Sequence, residues 1–148
     1  WGGFTLNGVY GQTVFVCEKN EDTALFKAGT NQTYYSGGSI TDIAFVVKDA
    51  NDKFKTTSSA QTIMDNILNP KTEAFDNYHA FQGMNISWFT ISNCSFSGFY
   101  APFSGLKGHM CSRICNNTVG PTKVVFNGTH FIDSYIYNNY CKNHEYAV

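Results

Sequence analysis

Two groups of residues in this sequence have the types and spacing to do chemistry. The first is sulfur: Cys111 and Cys115 lie four positions apart, Cys141 is followed by His144, and Cys17 and Cys94 stand alone upstream. With His109 and His130 nearby, the downstream set has the residue types of a zinc site. The second group is five Asn-X-Ser/Thr triplets, at Asn31, Asn85, Asn93, Asn116 and Asn127, none with proline in the middle. Each is an acceptor signature for an N-linked glycan.

One environment makes both groups useful. Zinc knuckles usually place two residues between paired cysteines, and a reduced zinc protein would leave the triplets idle. An oxidising secretory route crosslinks thiols and glycosylates asparagines together. We therefore read Cys17, Cys94, Cys111, Cys115 and Cys141 as disulfide candidates and all five asparagines as glycosylation sites. No metal and no cofactor is expected beyond N-linked glycans. Five cysteines leave one without an intrachain partner, and the pairing stays open. Cys111 and Cys115 are both expected to be bridged, with Cys141 a partner for one of them, and Cys17 facing Cys94 or a cysteine elsewhere in a longer chain.

Catalysis lacks an equivalent signature. The four histidines could serve a cysteine nucleophile, but no Gly-X-Ser-X-Gly elbow, His-Glu-X-X-His or glycine-rich phosphate loop occurs. The nearest group of carboxylates, Asp42, Asp49 and Asp52, reads as a solvated turn. No catalytic residue is assigned and the protein is not expected to be an enzyme.

Aromatic segments suggest recognition instead. "TYYSGG" (33–38), "FSGFYAPF" (96–103) and "SYIYNNY" (134–140) set aromatic rings among small polar residues. A ring face can carry the apolar face of a sugar while Asn and Ser bond its hydroxyls, and tyrosine offers contact area at low entropic cost. Phe96, Phe99 and Phe131 read as core; Tyr34, Tyr35, Tyr135 and Tyr137 are the receptor-binding candidates.

The elements that must position these groups are strands. Aromatic residues make 16% of the 148-residue chain and charged residues only 14%, a balance that suits pleated, half-buried surfaces. A net charge of −1 without a basic run excludes the footprint of a nucleic-acid binder. No apolar run is long enough to cross a bilayer. Strands are expected at 13–17, 23–28, 32–35, 39–47 and 87–92. Asn7-Gly8 and Asn127-Gly128 carry the signal of type I′ hairpins, which would set Phe126 opposite Thr129 and Val124 opposite Phe131. One helix is marked at 58–70, where Ser58 can cap and Ile63, Met64, Ile67 and Leu68 share a face.

Residues 1–148 are accordingly read as one mainly β, glycosylated ectodomain. The leading fold is an antiparallel β-sandwich of galectin-like type with one short helix. The loose likeness of "ISNCSFSGFY" (91–100) to "VFNGTHFIDSY" (125–135) gives the alternative, a parallel β-solenoid.

Glycan triplets, few charges, scattered cysteines and aromatic strands together resemble the attachment domains of enveloped-virus glycoproteins. "FKAG" (26–29), "FSGFYAPF" (96–103) and the Cys-x3-Cys-Asn run at 111–116 are similar to pieces of coronavirus spike attachment subunits. The resemblance implies an antiparallel sandwich on the virion envelope or a cell surface, whose loops attach to a host glycan or protein receptor. The alternative function is a non-viral secreted module, lectin-like or a scaffold. The expected partners are that receptor and the remainder of a longer parent polypeptide, through which the chain would oligomerise. Neither nucleic acid nor direct membrane insertion is expected.

Overall fold

Inward-facing residues of this chain recur once per turn of a coil rather than once per hairpin. The computed structural model describes residues 3–18, 24–27, 34–48, 78–120, 122–142 and 144–146. Successive coils contribute β1 (Thr5–Asn7), β2 (Val14–Glu18) and β3 (Ala24–Lys27); then β4 (Tyr34–Thr41), β5 (Ala44–Lys48) and β6 (His79–Gln82); then β7 (Asn85–Ser92), β8 (Ser95–Ser97) and β9 (Ala101–Ser104). A fourth coil is broken into β10 (Lys107–His109), β11 (Arg113–Cys115), β12 (Thr118–Val119), β13 (Thr122–Val124) and β14 (Phe126–Asn127). The fifth holds β15 (His130–Ile132), β16 (Tyr135–Tyr137), β17 (Tyr140–Cys141) and β18 (His144–Tyr146).

Every strand pair among the described residues is parallel, and each strand lies on its counterpart in the neighbouring coil. The first sheet runs β1-β4-β7, then continues through β10 to β15 and through β11 to β16. A second runs β17-β12-β8-β5-β2, a third β14-β9-β6-β3, and β13 pairs β18. In the later coils one turn takes 22 to 23 residues, the separation of Asn139 from Asn117 and of Asn117 from Cys94.

The core consists of columns of like residues. Leu6, Ile40, Ile91, Ile114 and Ile136 stack through the first sheet. In the second, Phe15, Phe45 and Phe96 stack with ring centroids 5.7 and 5.4 Å apart. In the third, Phe26, Phe81, Phe103 and Phe126 stack at 5.0, 5.8 and 5.1 Å. Phe96 also meets Phe103 edge-on at 5.2 Å, tying two columns together across the interior. Offset stacks and edge contacts both satisfy the ring quadrupole, adding to the burial of each ring. Phe99 is fully buried and Phe131 packs against the core, as read from sequence.

The corners are columns too. Asp42, Asn93, Asn116 and Asn138 follow paired residues of the first sheet, and all have φ between 53° and 63°. Asn and Asp visit this left-handed region at lower cost than other side chains, so one such residue can turn the chain without glycine. At the corner that follows the third sheet, Gly83, Gly105 and Gly128 have φ of 67°, 58° and 58°.

The antiparallel sandwich is therefore incorrect and the solenoid alternative is the fold. Period-two alternation reports a half-buried strand but not the direction of its neighbour. The two Asn-Gly signals misled for a related reason. Type I′ turns need positive φ at both central residues, whereas only Gly128 of the second pair has it, as a solenoid corner. Phe126 pairs with Phe103, Phe131 with Gly108 and Val124 with Tyr146. At the first pair, Gly8 donates its N–H to Thr41 O at 2.9 Å in the next coil. The helix expected at 58–70 lies outside the described residues, among which no helix occurs.

Candidate functional site

The outward side of the first sheet brings together the candidates that the sequence suggested. Because Ile40, Ile91 and Ile114 point inward and are fully buried, their strand neighbours point out. Register then aligns two outer rows. One runs Thr5, Ser39, Thr90, Arg113, Tyr135; the other runs Asn7, Thr41, Ser92, Cys115, Tyr137. Rungs in such a ladder are about 4.8 Å apart. The upper coils thus offer hydroxyls and the last coil two tyrosines, 56% and 44% exposed. At the first rung Asn7 Oδ1 accepts from Thr41 Oγ1 at 3.0 Å and from Ser39 Oγ at 3.4 Å, which orients both hydroxyls.

A second panel adjoins the first. Beside the buried Ile86, register aligns Tyr34, Asn85, Lys107, His130 and Ser36, Ser87, His109, Ile132; Asn85 and Ser87 are themselves buried, while Lys107, His130 and Ile132 are exposed. Between the panels the backbone bends at residues of positive φ: Gly37, Trp88, Met110, Cys111 and Asp133. Trp88 donates its N–H to Met110 O at 2.9 Å, and Cys111 donates its N–H to Asp133 O at 2.6 Å, so the bend propagates from coil to coil. The buried Ser112 hydroxyl fixes it from inside, 3.2 Å from Ile86 O and 3.1 Å from His109 O. Trp88 and Met110 remain exposed along this seam.

Electrostatics concentrate on the later coils. Lys107, Arg113 and His130 are exposed on the two panels, with Asp133 at the bend beside them. The Cys115 thiol lies within hydrogen-bonding reach of the Tyr137 hydroxyl and holds it above the ordinary phenol range, while the Arg113 charge acts in the opposite sense. Arg113 and Tyr137 therefore share one local field.

Of the receptor-binding candidates, Tyr135 and Tyr137 stand together on the outer face. Tyr34 takes its place in β4 opposite Asn85, on the adjoining panel. Tyr35 turns inward, with its ring edge-on to Phe4 at 5.8 Å. Sequence reasoning passed over Trp88, Lys107 and Arg113. Their signal was a repeat at a different register from the one noticed: "ITDIAF" (40–45), "ISNCSF" (91–96), "ICNNTV" (114–119) and "IYNNYC" (136–141) align residue for residue in the fold. Once that repeat is set, Thr90, Arg113 and Tyr135 fall into one row.

Acceptor asparagines occupy contrasting places. Asn116 and Asn127 are exposed. Asn93 is half-buried at a corner, its Nδ2 donating to Asp42 Oδ1 at 3.2 Å. Asn85 is only 7% exposed within the sheet. Asn31, Asp49 and Asp52 lie outside the described residues.

The five cysteines are dispersed and carry free thiols. Burial pushes the Cys17 thiol up to about 12 and the Cys94 thiol up to about 11, and it also raises Cys141. Cys94 points into the interior, its thiol 3.2 Å from Ser92 O and 3.6 Å from Ile40 O. Among the described residues no three His, Cys, Asp or Glu side chains gather closely enough to hold a metal ion. No family model matches the chain, and neither a curated protein nor a solved structure matches it.

Proposed function

We propose that this chain is an extracellular attachment module that binds a saccharide along the outer face of its first sheet, without performing chemistry on it. The observation that carries the reading is the alignment of Thr90, Arg113 and Tyr135 beside Ser92, Cys115 and Tyr137, bordered by Trp88. Rings supply stacking surfaces for the apolar faces of pyranoses. Hydroxyls and the guanidinium supply hydrogen bonds at rung spacing, and the parallel ladder holds them rigid before binding, which lowers the entropic cost of association. An extended glycan suits a flat, repeating face better than a compact ligand that needs a cavity.

An attachment role on a virion or cell surface accords with this reading and with the glycan acceptors Asn116 and Asn127, which are exposed. The spike-like resemblance implied a sandwich, so its support for a particular viral class weakens with that fold. The remaining reading is a non-viral scaffold module that needs no ligand on this face.

A glycan array probed with the full chain, followed by calorimetry on the hits, tests the proposal. Binding that falls at least tenfold in Tyr135→Ala and Tyr137→Ala, with unchanged thermal unfolding, is expected. A chain that binds no glycan on the array, or whose binding is indifferent to both substitutions, would overturn it and leave the scaffold.

A further inference from the structure

We propose that the saccharide recognised by this face is acidic, a polymer whose sugars carry carboxylates, with Arg113 as the carboxylate-reading residue, Lys107 as a second cationic contact and His130 beside it as a hydrogen-bonding group. The inference rests on the saccharide-binding reading above and names the class of its ligand.

Its basis is the distribution of charge among the stacked rows. In the first three coils the described outer positions are neutral, Thr5, Asn7, Ser36, Ser39, Thr41, Thr90 and Ser92, and Asn85 and Ser87, which pair with Lys107 and His109, are neutral and buried. In the last two coils Lys107, Arg113 and His130 take the equivalent places, with His109 between them and Ile132 beside them. Lys107 pairs in register with His130, and Arg113 lies between Thr90 and Tyr135. Asp133 is the carboxylate of this region among the described residues. Among the described residues Lys107 and Arg113 form no ion pair. On a chain whose net charge is −1, cations have been gathered where the aromatic rings are.

Chemistry favours a carboxylate over a neutral sugar at this place. A guanidinium offers a planar fork that matches a carboxylate with two parallel hydrogen bonds, whereas a hydroxyl takes one. Tyr135 sits one rung away, within reach of the sugar ring that bears such a carboxylate. Thr90, on the opposite rung, can bond an adjacent hydroxyl. Lys107 and His130 lie across the Trp88 seam, so a second acidic sugar of the same chain can reach them.

The test uses the full chain with polygalacturonate oligomers, neutral dextran oligomers and poly-glutamate of similar length. The proposal expects polygalacturonate to bind and dextran to bind at least tenfold more weakly. It expects the preference to shrink as salt rises from 50 to 300 mM, because exposed charges are screened over that range. The Lys107→Gln/Arg113→Gln variant should lose roughly tenfold in affinity for polygalacturonate, as two exposed pairs would, and change little toward dextran. Unfolding of the variant at the wild-type temperature confirms that the loss is local. Equal or better binding of dextran overturns the acidic ligand while leaving the saccharide reading standing. Failure to bind either saccharide overturns the acidic ligand, and a blank glycan array overturns the saccharide reading with it. Poly-glutamate binding as tightly as polygalacturonate also overturns the proposal, since it would show attraction to charge without recognition of sugar.

Discussion

Asn117 and Asn139, one coil apart, are joined by a hydrogen bond from Asn117 Nδ2 to Asn139 Oδ1 at 3.0 Å. The same Oδ1 accepts the Asn117 backbone N–H at 3.0 Å, while Asn139 Nδ2 donates to Ile114 O at 2.9 Å. One coil earlier Cys94 takes the equivalent position, and its N–H donates to Asn117 Oδ1 at 2.9 Å. Asn117 Nδ2 also reaches Ile91 O at 3.1 Å. This ladder satisfies the backbone groups that the corner removes from the strands. Asn117→Ala leaves the buried Cys94 N–H and Ile91 C=O without their side-chain partner, at a cost of about 1–3 kcal/mol per orphaned group. Urea unfolding should show a loss of about 3 kcal/mol, and a loss below about 0.5 kcal/mol would contradict the ladder's role.

The phenylalanine columns predict a gradient. Phe81 and Phe103 are fully buried in the middle of their stack, so truncating either to alanine should cost about 3–5 kcal/mol. Phe15 ends its column and is 42% exposed, so Phe15→Ala should cost under about half as much. Equal losses at Phe15 and Phe81 in the same denaturation series would contradict the stacked arrangement.

His79 makes stability depend on pH. Burial lowers its pKa below the ordinary 6.5, outweighing the opposing Ala101 carbonyl 3.0 Å from Nδ1. The unfolded chain therefore takes up the proton first as pH falls, so the contribution of neutral His79 is present above about 6.5 and is lost as pH falls towards and through the folded value. The melting temperature should drop between pH 7.5 and 5.5, and the drop should be smaller in His79→Gln. Identical pH profiles for the two proteins would contradict this.

Thiol reactivity separates the cysteines. Cys17 and Cys94 are buried, with thiols pushed up to about 12 and about 11, so almost no thiolate exists at pH 8. Iodoacetamide followed by mass spectrometry should leave both unlabelled in the native protein and label them on unfolding in urea. Fast native labelling of either would contradict their placement in the core.

Strand content was legible in the sequence because aromatic and β-branched residues concentrate wherever the core lies, and β5 shows it with Ala44, Phe45, Val46 and Val47 all buried. Direction was not, because the deciding residues sit at corners. Asn93, Asn116 and Asn138 read as glycan acceptors or as ordinary polar residues, yet their shared left-handed φ closes successive coils. Gly128 read as half of a hairpin, although Phe-X-Gly recurs at 81–83, 103–105 and 126–128 with all three glycines turning corners. Tyr135 and Tyr137 stand out in the sequence by aromatic density alone. Arg113 acquires meaning only from its register with Tyr135, a pairing between coils that a single coil's sequence does not display.

Saccharide recognition on the first sheet is tested most directly through Trp88, which lies on the seam of that face. Trp1 and Trp88 are the two tryptophans of the chain, so Trp1→Phe leaves Trp88 as the single indole reporter. Titrating a saccharide identified on the array into this variant should change Trp88 emission along a saturation curve whose Kd matches calorimetry, with the change lost in Tyr135→Ala. Emission that stays flat while calorimetry records saturable binding would place the saccharide elsewhere and contradict the account.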